Sequence, residues 1–520
     1  DRNARNGKAY TVKILALRKL GRITEALQTA NGALERDRFN LGALYEKYLC
    51  YLQSGKSKQA GVALKNFKKL SRLNANTLLE YAIDYAAIGQ YQTAIELLQL
   101  TVESTPLTFY YLGYYASKLG DNKLSALSLK QGKASDPAYC FPNKLEDVIV
   151  LTHVQEADPL DSKAPYYLGN LWYDKRQYNE AIAAWERSLA INDEFPTVHR
   201  NLAIAYFNKK GKSKRALECF EKAYALNAAD ARVLMELDQL YKRLNVAPSE
   251  RLKKLLAQQT VANLRDDVYL EIAALHNFLG NYEKAYHLIV SRKFHPWEGG
   301  EGKVSGQHIY SLIEMAKKYI QLGEFNTAID DLTKAQVYPE NLGEGKLFGA
   351  QENDIFYWLG CAYEGLLNPQ EAIRYFELAS TGLSEPSAAM FYNDQQPDKI
   401  FYQGMANLKL GNTQRAHEIF NRLVEYGKAH EQDEVKIDYF AVSLPDLLIF
   451  EDDLKVRNTI HCLYLQGLGY LGLGNLQEAH AAFDSVLEQD AMHFGAQTHR
   501  LLNGLSKFSK RSLDNTIAPQ

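Results

Sequence analysis

Paired cysteines are missing from this sequence. The five in 520 residues, Cys50, Cys140, Cys219, Cys361 and Cys462, stand singly with no C-x-x-C step. That spacing removes a disulfide framework and a zinc knuckle from consideration and leaves small thiols suited to a core. Charge of one sign is missing too. Lys and Arg number 60 against 62 Asp and Glu, a formal net charge of -2, so the chain as a whole has no field to draw in a phosphate backbone or an anionic lipid. Neither nucleic acid nor a membrane is an expected partner. No apolar run approaches the roughly 18 to 20 residues of a membrane span, and the opening residues Asp1 to Asn6 are too polar for a secretory signal. The chain also opens without an initiator Met, inside a repeat, so a processed or truncated piece of something longer is expected, and the compartment stays open.

A chain of this length outgrows one hydrophobic core and is built either as several domains or as an array whose core lengthens along its axis. Self-similarity decides between them. A small or turn-forming residue, a polar one, an apolar or aromatic one, and then Ala five positions after the start recur eleven times. The clearest copies are Gly21 to Ala26, Gly89 to Ala94, Gly280 to Ala285, Gly323 to Ala328 and Gly474 to Ala479; weaker ones end at Ala60, Ala126, Ala181, Ala216, Ala372 and Ala416. Early spacings are 34, 34 and 32, and a later one is 35. Each part has a physical reason. Gly permits the tight turn between antiparallel helices, the aromatic wedges between them, and Ala lets the backbones approach. Around Ala181, Tyr178, Ile182, Trp185 and Leu189 fall on one helical stripe. For most of the 34 Tyr and 21 Phe, such stripes mean core.

The period and the Leu-Gly-aromatic first helix, seen at Leu112-Gly113, Leu359-Gly360 and Leu468-Gly469-Tyr470, resemble the tetratricopeptide repeat. The fold expected is all-α: a right-handed superhelical solenoid of about 11 to 12 helix-turn-helix repeats. A degenerate pair at Ala231 to Leu244 and Pro248 to Leu264 fills the long gap between Ala216 and Ala285. The expected divisions are 1–135, 136–285, 286–500 with long insertions, and a capping helix and tail over 501–520, where Leu501, Leu502, Leu505 and Phe508 have helical spacing.

After Ala285 the spacing lengthens to 43, 44, 44 and 63. Each surplus falls after the second helix of one repeat and before the first helix of the next, so four insertions are expected along one edge, within reach of one another. The first holds Phe294, His295, Pro296, Trp297, Glu298, Glu301 and Lys303, and the second Asn341, Glu344 and Lys346. Both contain Gly-Glu-Gly-Lys, displaced by 43, and the two copies are expected in equivalent places. The third contains Tyr392 and Asp394, and the fourth Tyr439 and Asp452. Aromatic and acidic loops on one edge of a solenoid are where binding function concentrates.

Catalytic and cofactor readings find little purchase. Gly299 to Lys303 is no phosphate loop, since Trp297 and Val304 break the pattern and no strand precedes it. Glu451-Asp452-Asp453 lacks the alternating ligands and Gly of a calcium loop, and His461 beside Cys462, or His493 with His499, lacks metal-ligand spacing. No catalytic residue, metal or cofactor is assigned. Basic stretches such as Lys58 to Arg72 read first as solvated faces and second as sites for an acidic partner. A sugar reading has some material: Trp297 offers a flat apolar face, His295 and Asn341 hydrogen bonds, and Glu298, Glu301 and Glu344 carboxyls, although hydrolysis would need two carboxyls flanking one bond. The competing reading is that Phe294, Pro296 and Trp297 pin the loop to the helices.

The peptides Phe294 to Lys303, Trp185 to Ser188, Pro196 to Leu202 and Tyr439 to Asp446 resemble the C-terminal half of large bacterial proteins whose N-terminal half is a β-sandwich of unknown function, similar to carbohydrate-active folds. The resemblance covers about Asn3 to His499. It implies a scaffold that meets a protein partner or its own β-sandwich domain in a carbohydrate context, with an oligosaccharide site completed by the loops as the alternative, and it assigns no reaction.

Overall fold

The computed structural model describes residues 6–297, 299–388, 394–435 and 448–502. Among these, 27 α-helices and one 3-10 turn occur and no strand does. Twelve antiparallel pairs account for 24 of the helices, and the array is a solenoid of helix-turn-helix repeats. The chain forms two compact units, residues 1–198 and 199–520.

The N-terminal unit holds the pairs α1 (Gly7–Lys19) with α2 (Ile23–Arg36), α3 (Leu41–Gln53) with α4 (Ser57–Ser71), α5 (Ala75–Ala87) with α6 (Tyr91–Leu98), α7 (Pro106–Lys118) with α8 (Asn122–Ala134), and α10 (Lys163–Asp174) with α11 (Tyr178–Ile191). Between the last two lies the single helix α9 (Leu145–Ala157). Its start is fixed by Asp147, whose carboxylate accepts the backbone N–H groups of Asn143 and Lys144 at 2.8 and 2.9 Å and the Tyr111 hydroxyl at 2.7 Å. That cap satisfies donors that a helix start otherwise leaves orphaned.

The turn glycines do what the repeat requires. Gly21, Gly89, Gly280, Gly323 and Gly474 all have φ between 74 and 82°, the left-handed region that a side chain resists. The signature alanines are buried, with one exception. Ala126 is exposed, and Ser125, five residues after Gly120, takes the buried place. A second contact recurs from pair to pair. Gly113, Gly169, Gly360, Gly404 and Gly467 on first helices face Leu129, Trp185, Phe376, Phe420 and Phe483 on second helices, each sixteen residues on; a Cβ at any of them would meet that side chain at 2.3 to 2.5 Å. The same close approach therefore sets the packing in both units.

The C-terminal unit begins within α12 (Pro196–Lys210), which precedes α13 (Ser213–Leu226). The degenerate pair is present as α14 (Ala231–Arg243) and α15 (Pro248–Ala257), followed by the one-turn α16 (Gln259–Ala262). Then come α17 (Asp266–Phe278) with α18 (Tyr282–Val290), α19 (Lys303–Leu322) with α20 (Phe325–Ala335), α21 (Asn353–Gly365) with α22 (Pro369–Ala379), α23 (Pro397–Lys409) with α24 (Thr413–His430), and α25 (Leu454–Gly472) with α26 (Leu476–Gln489). The short α27 (Phe494–Arg500) follows.

This unit closes on itself. Phe450, in the connection before α25, is buried against the rings of Phe207 and Phe220, at 5.0 and 5.9 Å, with the Arg243 guanidinium over its face. Asn208 brackets it, donating to the Ile449 carbonyl at 2.8 Å and accepting from the Glu451 N–H at 3.1 Å. Lys209 pairs with Glu451, and Arg243 with Asp452 at 2.5 Å. Helix α27 then packs inward. Phe494 meets Phe278 and Tyr310, Thr498 bonds Tyr310 at 2.9 Å, and the buried His499 lies against Phe401, Tyr402 and Tyr464. A helix made of the chain's own residues thus occupies the faces of first helices from four repeats.

Candidate functional site

The four insertions lie where the spacing places them, between a second helix and the next first helix. Part of the surplus is helix and not loop: the first helices α19 and α25 run 20 and 19 residues against 13 for most first helices, and the second helix α24 runs 18 against 8 to 15 for the other second helices.

The first two insertions are built on each other. Phe294 is buried with Leu342, Val304 and Ile289, and its N–H donates to the Asn341 carbonyl at 2.8 Å. The Asn341 amide donates to the carbonyls of Ile289 and Arg292, at 3.0 and 2.9 Å, closing the end of α18. Trp297 is half-buried against the same cluster and covers Gly300, where a Cβ would strike the indole at 2.2 Å. His295 is exposed, with its N–H and Nδ1 at 2.9 and 3.1 Å from Asp266, which also binds Arg292. Those donors hold the Asp266 carboxyl below the usual carboxylate range, against the opposing effect of burial.

The two Gly-Glu-Gly-Lys copies differ in place, contrary to the expectation. In the first, Gly302 is the N-cap of α19 and Lys303 its first residue, with Glu301 exposed beside it. The second lies seven residues ahead of α21, because residues 347–352 intervene, and it reaches back to cap the helix that the first begins. Glu344 accepts from the N–H groups of Val304 and Ser305, at 3.4 and 3.1 Å, and from the Ser305 hydroxyl at 2.5 Å. A carboxylate there meets orphan donors and the positive end of the helix dipole. Glu344→Ala is therefore expected to cost about 0.5 to 2 kcal/mol, the usual range for a lost cap, read as a lower urea midpoint, with Glu344→Gln recovering part of it. Lys346 bonds the Gln336 carbonyl at 3.0 Å and pairs with Glu352 at 2.6 Å.

The chain of contacts continues. Gln351 links the second insertion to the third, donating to the Asp394 carbonyl at 3.2 Å and accepting from the Gln396 N–H at 3.1 Å. The third reaches the last repeats through Glu385 with Arg422 at 2.6 Å and the Ser387 carbonyl with His461 Nε2 at 2.7 Å. The fourth turns away to the start of the unit, where Asp452 meets Arg243. Of the sequence candidates, His295, Trp297, Asn341, Glu344, Lys346 and Asp394 thus share one loop edge, while Asp452 stands in the closing contact; Glu298, Tyr392 and Tyr439 lie outside the described residues.

Phe348 and Leu347 were not singled out by the sequence. Phe348 is fully exposed and Leu347 half so, on a segment held at either side by Lys346 and Gln351. The available signal was an apolar pair between Gly345 and Gly349 with no helical period around it. Among the described residues no group of three His, Cys, Asp or Glu is placed to hold a metal ion, and no helix is long and apolar enough to cross a membrane.

Residues 169–210 match the family model for the TPR repeat. Among solved structures, the chain is similar to a tetratricopeptide repeat protein from Parabacteroides merdae, with 16% identity over 58% of this chain and 98% of that one and a TM-score of 0.25. It is likewise similar to the P58(IPK) TPR domain, with 15% identity over 79% of this chain and 99% of that one and a TM-score of 0.23. For YrrB, a TPR protein with an unusual peptide-binding site, the identity is 16% over 45% of this chain and 93% of that one, with a TM-score of 0.17. The match to the TPR repeat model spans the end of α10, α11 and α12, and the helix pairs before and after it follow the same helix-turn-helix plan.

Proposed function

We propose that this chain is a non-catalytic scaffold that docks another protein domain along the loop edge of its C-terminal unit. The observation that carries the reading is Phe348, a fully exposed aromatic with Leu347 beside it, on an insertion whose flanks are tied down by hydrogen bonds and an ion pair. An exposed Phe-Leu pair on an anchored segment presents an aromatic of the kind that supplies interface anchors. Solenoids of this repeat type offer extended surfaces to protein partners, which supports the same reading. The partner we favour is the β-sandwich domain that the sequence resemblance implies, which would place the scaffold in carbohydrate metabolism.

The test is a photo-crosslinking residue at position 348 in cells of the source organism, with position 373, an exposed Ile on α22, as control. One protein or one attached domain is expected to crosslink at 348 and not at 373, with the yield falling about tenfold when Leu347 is replaced by Asp, as loss of an anchor predicts. No adduct at 348, or equal yields at both positions, would sink the reading.

A further inference from the structure

A second surface, in the N-terminal unit, has a different chemistry. No Asp or Glu occurs between Glu46 and Glu80, a stretch that carries seven Lys and Arg. Glu46 itself is spent: it is fully buried, bound by Arg18 at 2.7 and 3.1 Å and by the Tyr85 hydroxyl at 2.5 Å. Among the described residues, Lys47, Lys58, Lys65, Lys68 and Lys69 make no ion pair. On α4, Lys58, Val62, Lys65 and Lys69 fall at i, i+4, i+7 and i+11 and share one face. Lys58 stands in the first turn, beside the positive end of the helix dipole, where a cation is unfavourable and no carboxylate offsets it.

Between α3 and α4 this face borders a groove of about 400 Å³. Leu44, Tyr51, Val62 and Ala63 give it apolar walls, Lys47 and Lys58 stand at it as cations, and Gln59 and Asn66 bring amides. Lys47 is half-buried without a counter-charge. A partly desolvated cation gains most from a carboxylate brought to it.

We propose that the α3–α4 groove binds an extended acidic peptide, with Lys47 and Lys58 pairing its carboxylates, an apolar side chain of the peptide on Val62 and Tyr51, and the Gln59 and Asn66 amides meeting its backbone. The site is separate from the loop edge and stands or falls independently of it. An extended strand fits a groove between two helices, whereas a bilayer surface does not enter one. The single aromatic there gives no stacking platform for bases.

The test uses fluorescence anisotropy with a labelled twelve-residue peptide of alternating Glu and Leu, against the same peptide with Lys for Glu. Binding of the acidic peptide alone is expected. It should weaken about tenfold on raising the salt from 50 to 300 mM and about tenfold in Lys58→Glu. Lys58 is exposed, so that variant keeps its fold, as circular dichroism will verify; Lys47→Glu adds a second such loss where it folds. The triple change of Lys65, Lys68 and Lys69 to Ala, cations of α4 that do not line the groove, should move affinity less than about threefold. The proposal is overturned by absence of binding, by a loss seen only in the triple variant, or by phosphatidylserine vesicles or single-stranded DNA binding more tightly than the peptide through the same lysines.

Discussion

Acidification from pH 7 to pH 5 is expected to destabilise the C-terminal unit by about 4 kcal/mol through two histidines alone. His308 and His499 are 1% and 3% exposed, and both stay neutral in the fold. Burial pushes His308 down to about 4 and His499 down to about 3, the latter also repelled by Lys317 and His493 while Asp354 and the Gly495 carbonyl oppose the shift. His499 donates from Nδ1 to Gly495 at 2.8 Å, and its Nε2, like both nitrogens of His308, has no protein partner. The unfolded chain takes up protons near pH 6.5 and the folded one does not, so the unfolded state binds more protons between that value and the folded pKa values. Stability is thus complete above about pH 6.5 and drains as pH falls toward 4 and then 3. At pH 5 each residue accounts for roughly 2 kcal/mol.

The measurement is urea unfolding at pH 7 and pH 5, comparing the native chain with His308→Leu, His499→Leu and the double variant. His308→Leu leaves no severed hydrogen bond, so its pH 7 stability should hold while about half of the acid loss disappears. Parallel pH profiles for all four proteins would show that neither imidazole is the acid-sensitive group. Because His499 sits on α27, between Phe401, Tyr402 and Tyr464, the same titration should loosen that helix first, visible as early loss of amide protection over residues 494–500.

What the sequence makes legible is whatever repeats. The turn glycines, the buried alanines and the aromatic opposite a first-helix glycine follow one local geometry, so their period carries both the helix type and the pairing; even the degenerate pair at α14 and α15 can be placed by length. Helix α9 escapes because it packs on α7 and α10 without the turn signature of a pair, its start being set by Asp147 and a tyrosine from α7. The copy at Ala126 slips by one because Ser125 replaces the marker alanine. The capping helix expected over residues 501–520 falls almost wholly outside the described residues.

At the loop edge the phase of the insertions is readable and their chemistry is not. Asn341 and Glu344 look like ligand-binding groups in a sequence, yet an amide that closes one helix and a carboxylate that caps another have the same composition. Only the fold tells which backbone groups they meet. Self-closure of the C-terminal unit is invisible for a related reason. Phe450 with Phe207, and Asn245 with the end of α26, join residues about 240 apart, a separation with no period to announce it.

Arg251 shows how much depends on one such long-range site. It is 1% exposed, among the largest fully buried side chains in the protein. Its guanidinium bonds Asp238 through Nε and Nη2 at 3.1 and 2.6 Å, Glu271 through Nη2 at 2.6 Å, and the Met492 sulfur through Nη1 at 3.2 Å. Three elements of early repeats and the segment before α27 therefore converge on one planar fork. Arg251→Ala is expected to cost about 3 to 5 kcal/mol, because it strands the Asp238 carboxylate in the interior and leaves Glu271 with only Lys242. Arg251→Lys should recover little, since an ammonium is a point donor and cannot serve Asp238 in bidentate fashion and Glu271 together. The informative partner is Asp238→Asn. In the native background it removes half of a buried pair and should destabilise; combined with Arg251→Met it removes the stranded charge, and the double variant should be more stable than Arg251→Met alone by about 2 kcal/mol or more. Additive losses in that cycle, measured by urea unfolding at pH 7, would mean that the fork holds its neighbours by packing alone and that charge pairing across the closing repeats contributes nothing.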